Sequence, residues 1–208
     1  MGFLVVQSVC APFAAGGYSG VMVTGLVERA RSLAAQHLAD LPRRWAHVQG
    51  VAAVAMEVAP VLDPVNAVAI VAACWLHDVG YAPELAEAGF HPLDGARFAE
   101  AEGFPALVVS LIAYHTGSMF EAEQRGELGL LANFRVPPAE VLDVVTFADM
   151  TTSPDGESIS AEDRLAEILS RYPEEDPVHS AVSRSGPELL ASVARVQDRL
   201  LTAHFSRV

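Results

Sequence analysis

Six residues stand out from an otherwise apolar chain as candidates for chemistry: His47, the adjacent pair His77 and Asp78, His91, His115 and Asp149. The pair comes at the end of ten apolar residues, Ala67 to Leu76. An imidazole and a carboxylate buried there are costly unless they are paired or bound to something. A metal ion is the most economical partner. A lone His–Asp dipeptide is weak evidence, but the ordered set is stronger, because each of five predicted helices carries one of these residues, or the pair, near an end. Imidazole nitrogen with carboxylate oxygen suits zinc, iron or manganese, and a carboxylate can bridge two ions.

The elements that must position these groups all read as helices. Leu26, Val27, Ala30, Leu33, Ala34 and Leu38 recur at helical spacing. His37 on the same segment reads as a surface or core-edge residue. A second helix follows Pro42 and is expected to stop before Pro60. It carries His47 and an apolar face of Val48, Val51, Ala52, Ala55 and Met56. The central helix is expected from Asp63 as N-cap, with Pro64 at its first position and Gly80 as a left-handed C-cap. It is apolar all round and belongs in the middle of a core. HPLDGARFAEAEG, FPALVVSLIAYHTG and PPAEVLDVVTFADM read as further helices bearing His91, His115 and Asp149. Residues 118–137 read as a loop with a short helical piece. After the turn TTSPDGES, Ser160 opens a capping sequence. A connector, YPEEDPVHSAVSRSGP, then leads to a terminal amphipathic helix from Glu188. No convincing strand or internal repeat is found, so the fold class is all-α. Trp45 and Trp75 read as core or pocket wall, and His179 and His204 as surface residues.

Composition limits the function. At 208 residues, 51% of them apolar and 19% charged, the chain fits one globular domain with a proper core. The division expected is a poorly ordered extension over 1–21 and a single helical domain over 22–208. All thirteen basic residues are arginine, which excludes a P-loop lysine, a Schiff-base lysine and a Ser–Lys pair. Thirteen scattered arginines against 26 carboxylates argue against a broad nucleic-acid surface. The longest apolar runs are about half of a roughly 20-residue membrane span, so a soluble protein is expected. Cys10 and Cys74 make no disulfide framework and suit a reducing cytoplasm.

The order of the six residues resembles the HD-domain metal-dependent phosphohydrolases. That family's pattern is a histidine, a distant His–Asp pair and a later aspartate, here His47, His77–Asp78 in WLHDVG and Asp149 in FADM. The similarity spans roughly residues 43–155. It implies an all-α helical bundle, with His47, His77, Asp78 and Asp149 holding a first divalent ion. His91 in HPLDGA and His115 in IAYHTG match the subset with two metals, and would hold a second ion with Asp78 bridging. His77 and Asp78 are then the catalytic centre, and one or two ions of iron, manganese or zinc the cofactor. Many dinuclear members carry a lysine soon after the pair, as in HDxGK, where this sequence has Tyr81. Arg43, Arg44 or Arg97 would then contact the phosphate of a small substrate, a nucleotide or other phosphate ester. The resemblance also admits two other classes. One is a di-iron oxygenase built on the same ligand set, and the other a ligand-binding regulatory domain that does no chemistry. The sequence leaves the oligomeric state open.

Overall fold

The computed structural model describes residues 19–206. Residues 1–18, with Cys10 and most of the expected extension, lie outside the described residues. Helix α1, Ser19–Leu38, starts a few residues before the periodic pattern, so residues 19–21 belong to it. Then come α2 (Pro42–Leu62), α3 (Ala67–Leu76), a 3₁₀ turn (Val79–Tyr81), α4 (His91–Ala101) and α5 (Ala106–Tyr114). The chain continues with α6 (Ser118–Arg125), α7 (Leu128–Leu131), α8 (Ala139–Met150), α9 (Ala161–Arg171) and α10 (Pro177–Phe205). Among the described residues there is no strand, only an isolated bridge between Thr152 and Ser158. The all-α expectation holds.

The apolar run does form the centre. Helix α3 packs against α1, α2, α5 and α8, and Ile70, Ala72, Ala73, Cys74 and Leu76 are wholly buried. Burial pushes the Cys74 thiol far above its usual range, so it acts as a small core residue. Trp45 and Trp75 lie against each other with ring centroids 5.8 Å apart. His37 sits at the edge of the core, its Nδ1 2.7 Å from Glu84 Oε1.

Several expected boundaries are corrected. Helix α3 begins at Ala67 and not Pro64, because Asp63 is used elsewhere: its carboxylate accepts the backbone and side-chain N–H of Asn66, closing a turn. Helix α2 runs through Pro60 to Leu62, and α10 starts at Pro177 and runs through Pro187. Each proline removes one hydrogen bond, and packing of the long helix on its neighbours outweighs that loss. The expected connector is therefore largely helix. Residues 118–137 hold two helices, α6 and α7. By length and composition α2 could cross a membrane, yet it buries His47, Val48, Val51, Ala52, Ala55 and Ala59 inside this bundle.

Gly80 is not a left-handed cap. It lies in the 3₁₀ turn, where a Cβ would overlap the carbonyl oxygen of His91 and the amide of Gly95. Its missing side chain lets the start of α4 lie against the His77–Asp78 segment. Asp94, buried in the first turn of α4, accepts the N–H groups of Ala88 (2.9 Å) and Gly89 (3.0 Å). That fixes the loop leading into His91, with a carboxylate at the end of the helix that favours one.

Candidate metal centre

All six residues converge on one buried point. His47 projects from α2, His77 and Asp78 follow α3, His91 opens α4, His115 ends α5, and Asp149 lies in the last turn of α8. His77 is fully buried, and His47, Asp78, His115 and Asp149 are buried with it.

Backbone carbonyls set the tautomers. His77 Nδ1 lies 2.8 Å from the Cys74 carbonyl, His115 Nδ1 2.6 Å from that of Ile112, and His47 Nδ1 3.1 Å from that of Ser153. A carbonyl only accepts, so each Nδ1 carries the proton and each neutral ring turns a bare Nε2 inward. The Ser153 carbonyl reaches His47 because the turn at Gly156 presses onto α2: a Cβ on Gly156, whose φ is +81°, would overlap the Ala46 carbonyl oxygen.

The inward nitrogens surround the two oxygens of Asp78 unequally. Asp78 Oδ2 is 3.5 Å from His77 Nε2 and 3.8 Å from His47 Nε2. Asp78 Oδ1 is 3.5 Å from His91 Nε2 and 4.0 Å from His115 Nε2. Two donor sets result, His47–His77–Asp78 and Asp78–His91–His115, each with its ligand atoms within 4.8 Å of one another. Asp149 Oδ1 stands 3.0 Å from His47 Nε2.

These residues fit divalent metal ions on grounds of hydrogen bonding. His77 Nε2 is buried with no hydrogen-bond partner, which is costly for an acceptor. His47 Nε2, already bare, faces a carboxylate oxygen, and such a contact needs a cation or a proton between two acceptors. His91 Nε2 and His115 Nε2 are 3.2 Å apart, a meeting of two ring nitrogens. Burial pushes the His77 imidazole down to about 4, so it is neutral near pH 7 and ready to ligate. Burial alone would raise the Asp78 carboxyl, but Arg44 and the surrounding imidazoles hold it well below the usual carboxylate range. Burial likewise opposes ionisation of Asp149, and the neighbouring imidazoles and Arg164 prevail, holding its carboxyl well below the usual range.

The arginines divide. Arg44 Nη1 bonds Asp78 Oδ2 at 2.5 Å, and its guanidinium lies over the Tyr81 ring, 3.9 Å from the centroid. His91 stacks on Tyr81 with centroids 4.0 Å apart and planes 18° from parallel. Two groups so close to one centroid cannot share a face, so Tyr81 is clamped between them. Tyr81 therefore props Arg44 and His91 in place. Arg43 is exposed and paired with Asp155 at the rim of the cavity. Arg97 is not brought to the cluster: it lines a separate cleft with Glu84, Glu87 and Asp94, 4.0 Å from the Asp94 carboxylate. At about 100° per residue, six steps from His91 carry Arg97 to another side of α4. Its expected phosphate contact is thus corrected. His179 bonds the Tyr172 carbonyl and His204 is exposed, both apart from the site.

Two residues were not anticipated. Arg164 on α9 is only 4% exposed, with Nη2 3.8 Å from Asp149 Oδ1, and Arg171 follows on the same helix. Both line the inner cavity of about 80 Å³ over the cluster. Both also line the outer cleft of about 440 Å³ that adjoins it. The only signal in the sequence is their seven-residue spacing after the Ser160 cap, which places them on one helical face.

A family model described as the HD domain matches residues 44–172. No curated protein and no solved structure matches the chain. The match covers more than half of the sequence and runs from Arg44 past all six converging residues to Tyr172. The all-α bundle and its cluster agree with it, and the chain belongs to the HD domain family.

Proposed function

We propose that this protein is a metal-dependent phosphohydrolase acting on a nucleotide or another small phosphate ester. The family is typically one of metal-dependent hydrolases. The observation that carries the finer reading is the outer cleft. In a chain of net charge −13 it is lined by Arg43, Arg44, Arg164 and Arg171 and, among the described residues, by no carboxylate. Its size is within the range of small-molecule sites, roughly 300–1,000 Å³. Small anions fit such a cleft, and the negative remainder of the surface would repel long polyanions.

In this reading His47, His77, Asp78 and Asp149 hold one ion, and His91, His115 and Asp78 hold a second. Divalent ions there supply Lewis-acid polarisation of a phosphoryl oxygen and acidify water near neutral pH. The protein's own groups prepare that centre. Backbone carbonyls keep the three Nδ1 protons and so hold the Nε2 lone pairs inward. Arg44, braced by Tyr81, keeps Asp78 ionised and offers its remaining N–H groups to an incoming phosphate. His77 and Asp78 are the catalytic pair of this proposal. The chain's thiols suit a reducing compartment, the cytoplasm.

The test is phosphate release from a panel of nucleotides and sugar phosphates by protein purified without chelator. Release that stops on chelation and returns with manganese, iron or zinc is expected. Oxygen consumption with a mixed-valence di-iron signal, and no phosphate release, would move the protein to the oxygenases.

A further inference from the structure

Helix α9 carries none of the six cluster residues, and beyond the contact of Arg164 with Asp149 one of its faces is built to meet an anion. Arg164 Nη1 donates to Glu167 Oε2 at 2.6 Å, and Arg171 Nε donates to Glu167 Oε1 at 2.9 Å. The spacings are i,i+3 and i,i+4, so the three lie on one side of the helix. Glu167 draws the two guanidiniums together, and Asp149 Oδ1 lies 3.8 Å from Arg164 Nη2. Arg164 is buried, and its Nε–H has no acceptor. Both arginines line the inner cavity and the outer cleft. Their helix packs on α8 and α10, whereas Arg44 comes from α2 and is braced on the Tyr81–His91 side. The cavity therefore has two cationic walls, and only the Arg44 wall is tied to Asp78.

We propose that Arg164 and Arg171, held by Glu167, form a second anion site that takes a phosphate other than the one being hydrolysed. The substrate is then a compound carrying two phosphate groups, such as a nucleoside diphosphate or bisphosphate, with its organic part in the outer cleft. The inference rests on the phosphohydrolase reading for the first phosphate, but the anion site stands on its own geometry. Paired guanidiniums suit a phosphate because each offers several N–H donors in a fixed plane. Glu167 is a positioning residue that keeps the two side chains from separating.

The experiment uses the full chain stripped of metal, with inorganic phosphate as the probe in titration calorimetry. Arg171 is about one-third exposed at the end of its helix, so Arg171→Gln does not threaten the core. Wild-type stripped protein should bind phosphate, Arg171→Gln should weaken it by about tenfold, and Arg97→Gln, in its separate cleft, should change nothing. In metal-loaded protein, Arg171→Gln should raise KM for a nucleoside diphosphate by more than it raises KM for the monophosphate. Phosphate binding that is absent, or indifferent to Arg171→Gln, overturns the second site even if phosphate esters are hydrolysed. Binding that depends on Arg171 in a protein that hydrolyses none of them leaves the site standing and removes the hydrolase reading.

Discussion

His77, His115 and His47 each give the Nδ1 proton to a backbone carbonyl, so the protein has fixed which nitrogen faces the cavity before any ligand arrives. This has a pH consequence for the stripped protein. Burial holds His77 near 4 and His91 well below the ordinary value of 6.5, while both titrate normally once unfolded. The unfolded chain therefore takes up protons first as pH falls, and stability drops. It should be greatest above about pH 6.5 and decline toward about pH 4. Thermal unfolding of chelator-treated protein between pH 7.5 and 5 measures it, and a flat profile for wild type would contradict buried neutral imidazoles. At this scale the sequence was most informative. Types and order alone identified the six residues that meet. They could not separate Arg44 from Arg97, because both stand near a histidine in the chain and only the turn of the helix decides which faces the cavity. Arg164 escaped because it lies fifteen residues beyond Asp149, across a turn, and nothing local announces a buried arginine.

Between elements, the site depends on how closely segments approach. Gly80 lies against the carbonyl of His91. Gly80→Ala should push the start of α4 away, costing about 1–3 kcal/mol of stability. The same variant should lose metal from the His91–His115 side first, as elemental analysis would read. A variant of wild-type stability and metal content would show that α4 has room to spare. The joint between α8 and α10 gives a contrasting case. Asp143 there accepts two bonds from Arg195, both 2.8 Å, and another from Ser192. Burial opposes ionisation of Asp143, and these bonds prevail, holding its carboxyl below the usual range. Asp143→Ala should cost about 1–2 kcal/mol, because Arg195 is left half-exposed and can turn to water. Its metal content should be unchanged, and a loss of ions would tie this joint to the site. Helix existence was legible from periodicity, while boundaries were not. Pro60 read as a stop and Pro187 as the end of a connector, but tertiary packing carried helices through both. Asp63 and Pro64 read as a start, but the Asp63 side chain closed a turn instead.

In the whole molecule, the cluster joins five segments that are far apart in the chain: α2, the end of α3, the start of α4, the end of α5 and α8. Ions that bind this assembly and not the unfolded chain stabilise it by mass action, about 2.7 kcal/mol for each site at a hundredfold excess over Kd. For a chain of this length each kcal/mol shifts Tm by roughly 2–4 °C. Chelation should therefore lower Tm by several degrees, and reloading should restore it. A Tm indifferent to chelator would mean that no ion links those segments. The net charge of −13 supports the proposal, since a cleft rimmed by arginine on so acidic a chain suits small anions better than polymers.

In the proposed two-ion centre Asp78 would serve both ions, with His91 and His115 holding the second. Elemental analysis of protein purified without chelator tests it most directly. Wild type should carry about two ions per chain, and His91→Ala and His115→Ala each about one. Asp78→Ala should carry almost none. Wild type that saturates at one ion, with both histidine variants binding that ion as tightly, would contradict the two-ion centre.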